Sequence, residues 1–289
     1  MTKNLRKNVA LCLWIFSFLF LSSCGSSKRE QIQRDTDHGT GQAEMEVEAG
    51  RFQRAIDICT EIYQKYPQDP AVRSGYIRTL ESIKNSGDRA FERKDFETAA
   101  DIYEILAKNW SHFSDLSLSL SFKRGLLGEK VKTSRCLFVR GQVPSYLKAG
   151  EFQRAIDMCK EIHQKYPRDL TIRRDYVRTL ESIKSSGDRA FDRGDFALAG
   201  SVYEILLKHV SSVTHLNGSS PFNRETLTAR IKTCKKNLFE NGLEQYRSGN
   251  LDQAISIWKG ILAFDPGNQE IKRVVDMATL QLQNLQKIK

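Results

Sequence analysis

Histidine and cysteine side chains are the groups in this chain best suited to acid–base, nucleophilic or metal chemistry. The sequence of 289 residues has five histidines and six cysteines, but none of them shows the spacing of a metal site. It also lacks a Gly-rich phosphate loop, a GxSxG elbow and an HExxH pair. Its many carboxylates are of the kind that keep helix faces soluble. We therefore predict no catalytic, cofactor-binding or metal-binding residue and no enzymatic activity.

An internal duplication organises the chain. Residues Gly50–Lys108 return as Gly150–Lys208 with 39 of 59 positions identical, and the run Arg78–Lys84 returns unchanged as Arg178–Lys184. Self-similarity at a fixed period is typical of repeat architectures, in which each unit buries its apolar face by stacking on a neighbour. Stacked repeats usually build binding surfaces, so the duplication favours a binding protein over an enzyme.

The duplication also weighs against a catalytic imidazole. His163 corresponds to Tyr63 and His209 to Asn109, so neither histidine is reproduced in the other copy. Cysteine behaves differently, because Cys59 has the equivalent Cys159 on the same apolar helix face. Such cysteines pack as small hydrophobic residues, and we expect them to be buried thiols.

The first 23 residues have the pattern of an export signal. Met1–Asn8 is basic, and the apolar run Val9–Leu21 is too short to span a bilayer as a helix. The sequence Leu21-Ser-Ser-Cys24-Gly resembles the bacterial lipobox, which implies cleavage before Cys24 and lipid attachment to it. The alternative is an ordinary secretory peptide with an incidental cysteine. Acylated Cys24 would hold the protein on a membrane without a transmembrane helix.

The residues after the cysteine indicate where the protein goes. Gly25 and Ser26 follow it without an Asp, which by resemblance to enterobacterial sorting implies the outer membrane, facing the periplasm. Loss of the signal lowers the formal net charge from +10 to +7. A basic exported chain favours anionic lipids, lipopolysaccharide, cell wall or acidic proteins and rarely meets nucleic acid. The alternative is that Lys and Arg merely solvate helix faces.

Helical periodicity follows the signal. The segment Gly249–Pro266 resembles the second half of a tetratricopeptide repeat, which has a small residue at the inter-helix turn, a large apolar residue two positions later, Ala, a large residue and a closing Pro. The same frame fits four earlier segments, and the residues that match it are Gly50, Phe52, Ala55, Cys59 and Pro67; Gly87, Lys94, Phe96, Ala99 and Tyr103; Gly150, Phe152, Ala155, Cys159 and Pro167; Gly187, Gly194, Phe196, Ala199 and Tyr203. The resemblance implies an all-α helix-turn-helix solenoid of about five repeats.

The domain organisation follows from these segments. We predict a signal peptide (1–23), a flexible tether (24–41), two repeat modules (42–121 and 122–221), a fifth repeat (222–268) and a C-terminal capping helix (269–289). Pro144 should interrupt the first helix of the third repeat, and Ser-rich loops are expected over 109–121 and 209–221. A coiled-coil contact to a partner is the alternative role for the last helix.

The resemblance also places a candidate binding groove on the first helix of each pair. Its residues would be Lys84, Asn85, Asp88, Glu92, Lys184, Ser185, Asp188 and Asp192. The carboxylate clamp of chaperone-tail readers has Asn where Asp88 and Asp188 stand, so that ligand is not carried over. A solvated face without a partner is the alternative for these positions. A second basic group comprises Arg73, Arg78, Arg173, Arg174 and Arg178, which could pair with acids such as Glu81 and Glu181.

Together these features predict a membrane-anchored envelope scaffold. It would bind another protein or a peptide through its groove, in the assembly or export of an envelope complex, with no cofactor and no small-molecule substrate. The alternative is a binder of anionic cell wall or lipopolysaccharide that acts through its basic surface.

Overall fold

The structure is a computed structural model, and it describes residues 28–214 and 222–288. These residues form eleven α-helices and no β-strand, which confirms the all-α prediction. The helices are α1 (28–48), α2 (Phe52–Lys65), α3 (Pro70–Glu92), α4 (Phe96–Lys108), α5 (Arg124–Ala149), α6 (Phe152–Lys165), α7 (Leu170–Asp192), α8 (Phe196–Thr214), α9 (Arg224–Arg247), α10 (Leu251–Phe264) and α11 (Gln269–Ile288). The signal sequence and Cys24 lie outside the described residues.

Five tight turns make consecutive helices fold back on one another. Each turn has one residue with a positive φ angle, and these residues are Gly50, Lys94, Gly150, Gly194 and Gly249, with φ between 63° and 78°. This left-handed conformation costs glycine little, because it has no Cβ. They are the five turn positions that the sequence frame identified, so the five helical hairpins are confirmed.

The helices α3 and α7, which follow the first and third hairpins, each begin at a polar cap. Asp69 accepts hydrogen bonds from the backbone N–H groups of Ala71 and Val72, at 2.9 and 3.1 Å, and so begins α3. Asp169 caps α7 in the same way. These carboxylates satisfy N–H groups that have no partner within the helix. The caps fix the register of α3 and α7, the two helices that carry the candidate groove.

The chain divides into two compact units, and the boundary between Phe138 and Val139 lies within α5. In the first unit, α3 packs between α2 and α4 around Tyr76, Leu80 and Tyr103. In the second unit, α7 packs between α6 and α8, while α9 and α10 add further layers around Trp258. Each unit is thus a stack of helical hairpins with one continuous apolar core.

The prediction of a flexible tether over 24–41 is wrong for residues 28–41, which belong to α1. Thr36, Gly39 and Ala43 form the buried side of this helix, and Asp35 accepts a 2.6 Å hydrogen bond from Lys65 and a 2.8 Å bond from Tyr66. These contacts to Lys65, the last residue of α2, and to Tyr66, which follows it, hold α1 in place. The polar composition had instead suggested a mobile segment.

Two other expectations about breaks in the helices are also wrong. Pro144 does not interrupt α5; its ring is on the exposed side, and the neighbouring Val143 is buried in the core of the second unit, which offsets the missing backbone donor. The loop expected from His209 begins later, because α8 continues to Thr214. Residues 109–121 do form a loop with two 3₁₀ turns, and its Phe113 and Leu116 are buried.

Candidate functional site

The candidate groove residues of α3 separate into two groups. Asn85 and Glu92 are exposed, whereas Lys84 and Asp88 are half-buried. Helical spacing places Arg78, Asn85, Arg89 and Glu92 along one solvent-facing row of α3. The equivalent row of α7 comprises Arg178, Ser185, Arg189 and Asp192. We call these the solvent-facing rows.

Asp88 is the centre of an ion network rather than an open binding residue. Its carboxylate lies 2.7 Å from Nζ of Lys84, on its own helix, and 2.7 Å from Nζ of Lys130 on α5. The hydroxyl of Tyr103 on α4 donates to the same carboxylate at 2.6 Å. Asp88 therefore ties three helices together, and its capacity to accept hydrogen bonds is largely used within the protein.

The electrostatics of Asp88 agree with this role. Burial alone would raise its pKa, but hydrogen bonds from Lys130, Lys84 and Tyr103 outweigh burial and lower the pKa to about 2. The carboxylate stays ionised at physiological pH. A negative group here would repel a peptide C-terminus, so a carboxylate clamp is not expected at this position.

The second copy repeats the network with one substitution. Lys184 lies 2.6 Å from Asp188, and the hydroxyl of Tyr203 donates to Asp188 at 2.7 Å. Arg230 on α9 takes the place of Lys130 and lies over the ring of Phe191, 4.4 Å from its centroid. The structure therefore places four of the eight predicted groove residues in structural networks, namely Lys84, Asp88, Lys184 and Asp188.

The arginines of the second basic group have other partners than those expected. Arg73 donates to the hydroxyl of Tyr63 at 3.0 Å, and Arg78 lies 3.7 Å from Glu44 of α1. Glu81 instead accepts a 2.6 Å hydrogen bond from the Ser121 hydroxyl at the end of the loop. In the second unit, Arg174 and Arg178 are exposed. In place of the expected pairing with Glu81, Arg73 and Arg78 thus contact α2 and α1, while Glu81 contacts the loop.

The histidines within the copies are structural. His209 is buried, and its Nε2 lies 3.2 Å from Nε2 of Gln153, just as Asn109 donates to Gln53 at 2.8 Å in the first unit. The ring of His163 packs against Tyr176, with 5.9 Å between centroids. Burial lowers the pKa of both imidazoles, and nearby Arg173 for His163 and Lys160 for His209 lower it further. Both rings therefore take roles that Tyr63 and Asn109 take in the other copy.

The three buried cysteines have little reactivity. Cys59, Cys159 and Cys234 are buried, and Sγ of Cys59 lies 3.5 Å from the hydroxyl of Thr79. Burial raises the pKa of Cys59 and of Cys234 to about 11. These thiols remain protonated at neutral pH, so they are poor nucleophiles. Their expected burial is confirmed for Cys59 and Cys159.

One surface feature was missed by the sequence prediction. The hydroxyl of Tyr246 on α9 donates to Oε1 of Gln281 on α11 at 2.6 Å, which puts these two helices side by side. Phe239 of α9 and Met277 and Leu280 of α11 expose 38%, 64% and 59% of their surfaces. Aligning Gly242 with Gly87 places Phe239 at the position of Lys84, and this is the signal that could have revealed the change to apolar character.

Within residues 28–214 and 222–288, no cluster of three or more His, Cys, Asp or Glu side chains is arranged to hold a metal ion. No helix in the same ranges combines the length and apolar character needed to cross a membrane.

Comparison with known proteins gives no family. No protein-family model and no curated protein matches this chain. Among solved structures, the chain is similar to a circular tandem repeat protein with novel repeat topology and enhanced subunit contact surfaces, at 14% sequence identity and a TM-score of 0.24. The similarity covers 86% of this chain, which spans 63% of the length of that protein.

Proposed function

We propose that this protein is a tetratricopeptide-type lipoprotein that acts as a scaffold in the bacterial cell envelope. Lipidated Cys24 would anchor it, most simply in the outer membrane with the helical units in the periplasm. The helical units would bind another envelope protein during assembly or export of an envelope complex. In this proposal the protein is not an enzyme and needs no cofactor.

The observation that carries the proposal is the pair of solvent-facing rows. Arg78 and Arg89 of α3 recur as Arg178 and Arg189 of α7, at the same positions of equivalent, core-packed helices. Rigid helices that present the same polar chemistry twice suit a protein partner that makes several weak contacts, because side chains held on packed elements lose little freedom on binding.

Photo-crosslinking in cells tests this role. A photoreactive amino acid at Asn85 or Ser185 should give adducts with one and the same envelope protein. The matched controls are Gln64 and Gln164, which are exposed at equivalent positions of α2 and α6 and should give few adducts. Absence of any protein adduct from both rows would refute the scaffold function.

Metabolic labelling tests the anchor separately. The wild-type chain should incorporate an alkyne-tagged palmitate and sediment with outer membranes. Cys24→Ser should lose the label and become soluble, because one thioether-linked diacylglycerol and one amide-linked chain supply the membrane affinity. A Cys24→Ser variant that keeps both the label and its membrane location would refute lipidation at this residue.

A second candidate function is binding to an anionic surface such as cell wall or lipopolysaccharide. The observation that favours it is the second unit, where Arg174 is exposed at the position of Ser74 and adjoins the row that contains exposed Arg178. The Cys24→Ser chain should then sediment with phosphatidylglycerol vesicles at low salt and be released at high salt. No sedimentation at low salt would exclude this function.

A further inference from the structure

The groove between α9 and α11 differs in chemistry from its counterparts earlier in the chain. We define the α9–α11 seam as Phe239, Leu243 and Tyr246 on α9 with Val274, Met277 and Gln281 on α11. The two helices run in the same direction, because α10 reverses the chain between them. The hydrogen bond between Tyr246 and Gln281 sets their register, so Phe239 and Val274, each seven residues earlier, lie at the same level.

The corresponding seams contain charges. Between α3 and α5, Asp88 pairs with Lys84 and Lys130, and between α7 and α9 the equivalent Asp188 pairs with Lys184. Because Gly242 is the counterpart of Gly87, Phe239 and Leu243 stand where Lys84 and Asp88 stand. The ion pair at this level has thus become an apolar pair.

The exposed side of α11 shows the same change. The caps Asp69 and Asn268 precede α3 and α11 at equivalent positions, so Met277 corresponds to Arg78 and Leu280 to Glu81. Packing of α11 does not need these two side chains, since Ile271, Val275 and Ala278 form its buried face. Single exposed apolar residues are ordinary, but apolar replacements of charged residues on two adjoining helices form a patch.

Basic residues continue the patch at one end. Lys232 and Lys236 precede Phe239 by seven and three residues, and Arg273 precedes Met277 by four, so all three follow the same helix faces. All three are exposed, and Nζ of Lys236 lies 3.9 Å from Oε1 of Glu240, which makes a weak ion pair. Glu240 and Asp276 adjoin the same faces, since Glu240 is one helical turn from Lys236 and Asp276 is one turn from Arg273 and Leu280. This end of the surface therefore has three basic and two acidic side chains and a net positive charge, whereas the other end is apolar.

We propose that the α9–α11 seam binds an amphipathic segment of a protein partner, with leucine-like anchors followed by acidic residues. The inference rests on the proposed scaffold function and names the chemistry of its partner. The anchors would cover Phe239 and Met277 of the seam and the adjoining Leu280, and the acids would meet Lys236 and Arg273. Apolar anchors at helical spacing in a groove are a recurring mode of peptide binding, and the complementary charge sets the direction of the bound segment.

Fluorescence anisotropy with designed peptides tests the proposal. The probe is a fluorescein-labelled helical peptide with Leu at positions i, i+3, i+4 and i+7 and a Glu-rich end; the comparison peptides have Lys in place of Glu or Ser in place of Leu. The full-length chain in mild detergent should bind the probe, more weakly as salt rises. Both comparison peptides should bind about tenfold or more weakly.

Variants locate the site. Met277→Arg combined with Leu280→Glu recreates the residues of α3 on an exposed face, so the fold should persist, as circular dichroism would verify. This double variant should lose about tenfold or more in affinity. The control Leu118→Glu changes a leucine that is 99% exposed but lies in the first unit, and its affinity should stay within about twofold of wild type.

Several results would overturn the proposal: no binding of the Leu–Glu probe by the wild-type chain, equal binding by the double variant, or equal binding of the Lys or Ser peptide. Sedimentation that shows a wild-type dimer and a monomeric double variant would identify a second copy of the chain as the occupant instead. Crosslinks from Asn85 and Ser185 together with a failed probe would leave the scaffold function standing and remove only this site.

Discussion

Gly242 gives the sharpest test of how α9 and α10 pack. A Cβ added at this position would lie 2.2 Å from Nε1 and 2.6 Å from Cδ1 of Trp258, far inside ordinary contact distance. Trp258 is 2% exposed and its indole N–H donates to the carbonyl of Phe239 at 3.2 Å. In Gly242→Ala the indole must therefore move by more than an ångström in a filled core.

The expected cost follows from these contacts. Overpacking of a core costs about 1–3 kcal/mol, and loss of the indole hydrogen bond costs about 0.5–1.5 kcal/mol more. The better helix propensity of Ala returns about 1 kcal/mol. We expect Gly242→Ala to lower the free energy of unfolding of the second unit by about 1–3 kcal/mol.

Urea denaturation followed by circular dichroism measures this difference. Gly141→Ala is the matched control, because Gly141 lies within α5 in the same unit and a Cβ there would have no neighbour within 4 Å. That control should be neutral or more stable by about 0.5–1 kcal/mol. A Gly242→Ala chain as stable as wild type would refute the close packing of α9 on Trp258.

Three further predictions concern charge and capping. The free energy of unfolding of the second unit should fall as the pH drops below the ordinary histidine pKa of 6.5. Burial lowers the pKa of His163 and His209, so in this pH range the unfolded chain binds more protons than the folded chain. Urea titrations at neutral and mildly acidic pH should show the resulting loss of stability. The double variant His163→Tyr with His209→Asn should lose less stability on acidification. Asp88→Asn should lower the free energy of unfolding, measured by thermal melts, by about 1–2 kcal/mol, because Lys84 and Lys130 lose a charged acceptor. Asn85→Ala, on the solvent-facing row of the same helix, should leave the stability almost unchanged. The stabilisation that ionised Asp88 provides is present above the ordinary aspartate pKa of 3.8 and is lost as the pH falls through the folded-state pKa of about 2. Asp69→Ala should lower the free energy of unfolding by about 1 kcal/mol, because α3 loses its N-cap. A melting temperature equal to that of the wild type would show that the backbone N–H groups of Ala71 and Val72 find other acceptors.

The duplication made the helical hairpins predictable. A tight turn needs a residue that tolerates positive φ, and an apolar stripe at helical spacing follows each one; both signals are local, so Gly50, Gly150 and Gly249 identified their turns correctly. Lys94 fits the same frame without being glycine and also has a positive φ angle of 63°, so the position in the frame predicts this turn although the residue type does not.

Features that depend on distant residues were not predictable. The polar, Gly-containing stretch 25–41 suggested a tether, yet a Cβ at Gly39 would overlap Ile62 of α2, so Gly39 allows the close packing of α1. Asp88 was placed correctly on α3, but its partner Lys130 comes from another helix with no local signal. Exposure of the predicted groove residues was correct only in part, since Asn85 and Glu92 are exposed and Lys84 is half-buried.

The position of the boundary inside α5 has a consequence for how such a gene can change length. The first half of α5 completes one unit and the second half begins the next, and α1 stands one period of about 100 residues before that second half. A recombination event between equivalent codons of the two copies would therefore join helix to helix in the correct phase. Units could be gained or lost whole, without any new linker, and each product would still begin with a helix that the following hairpin can cover.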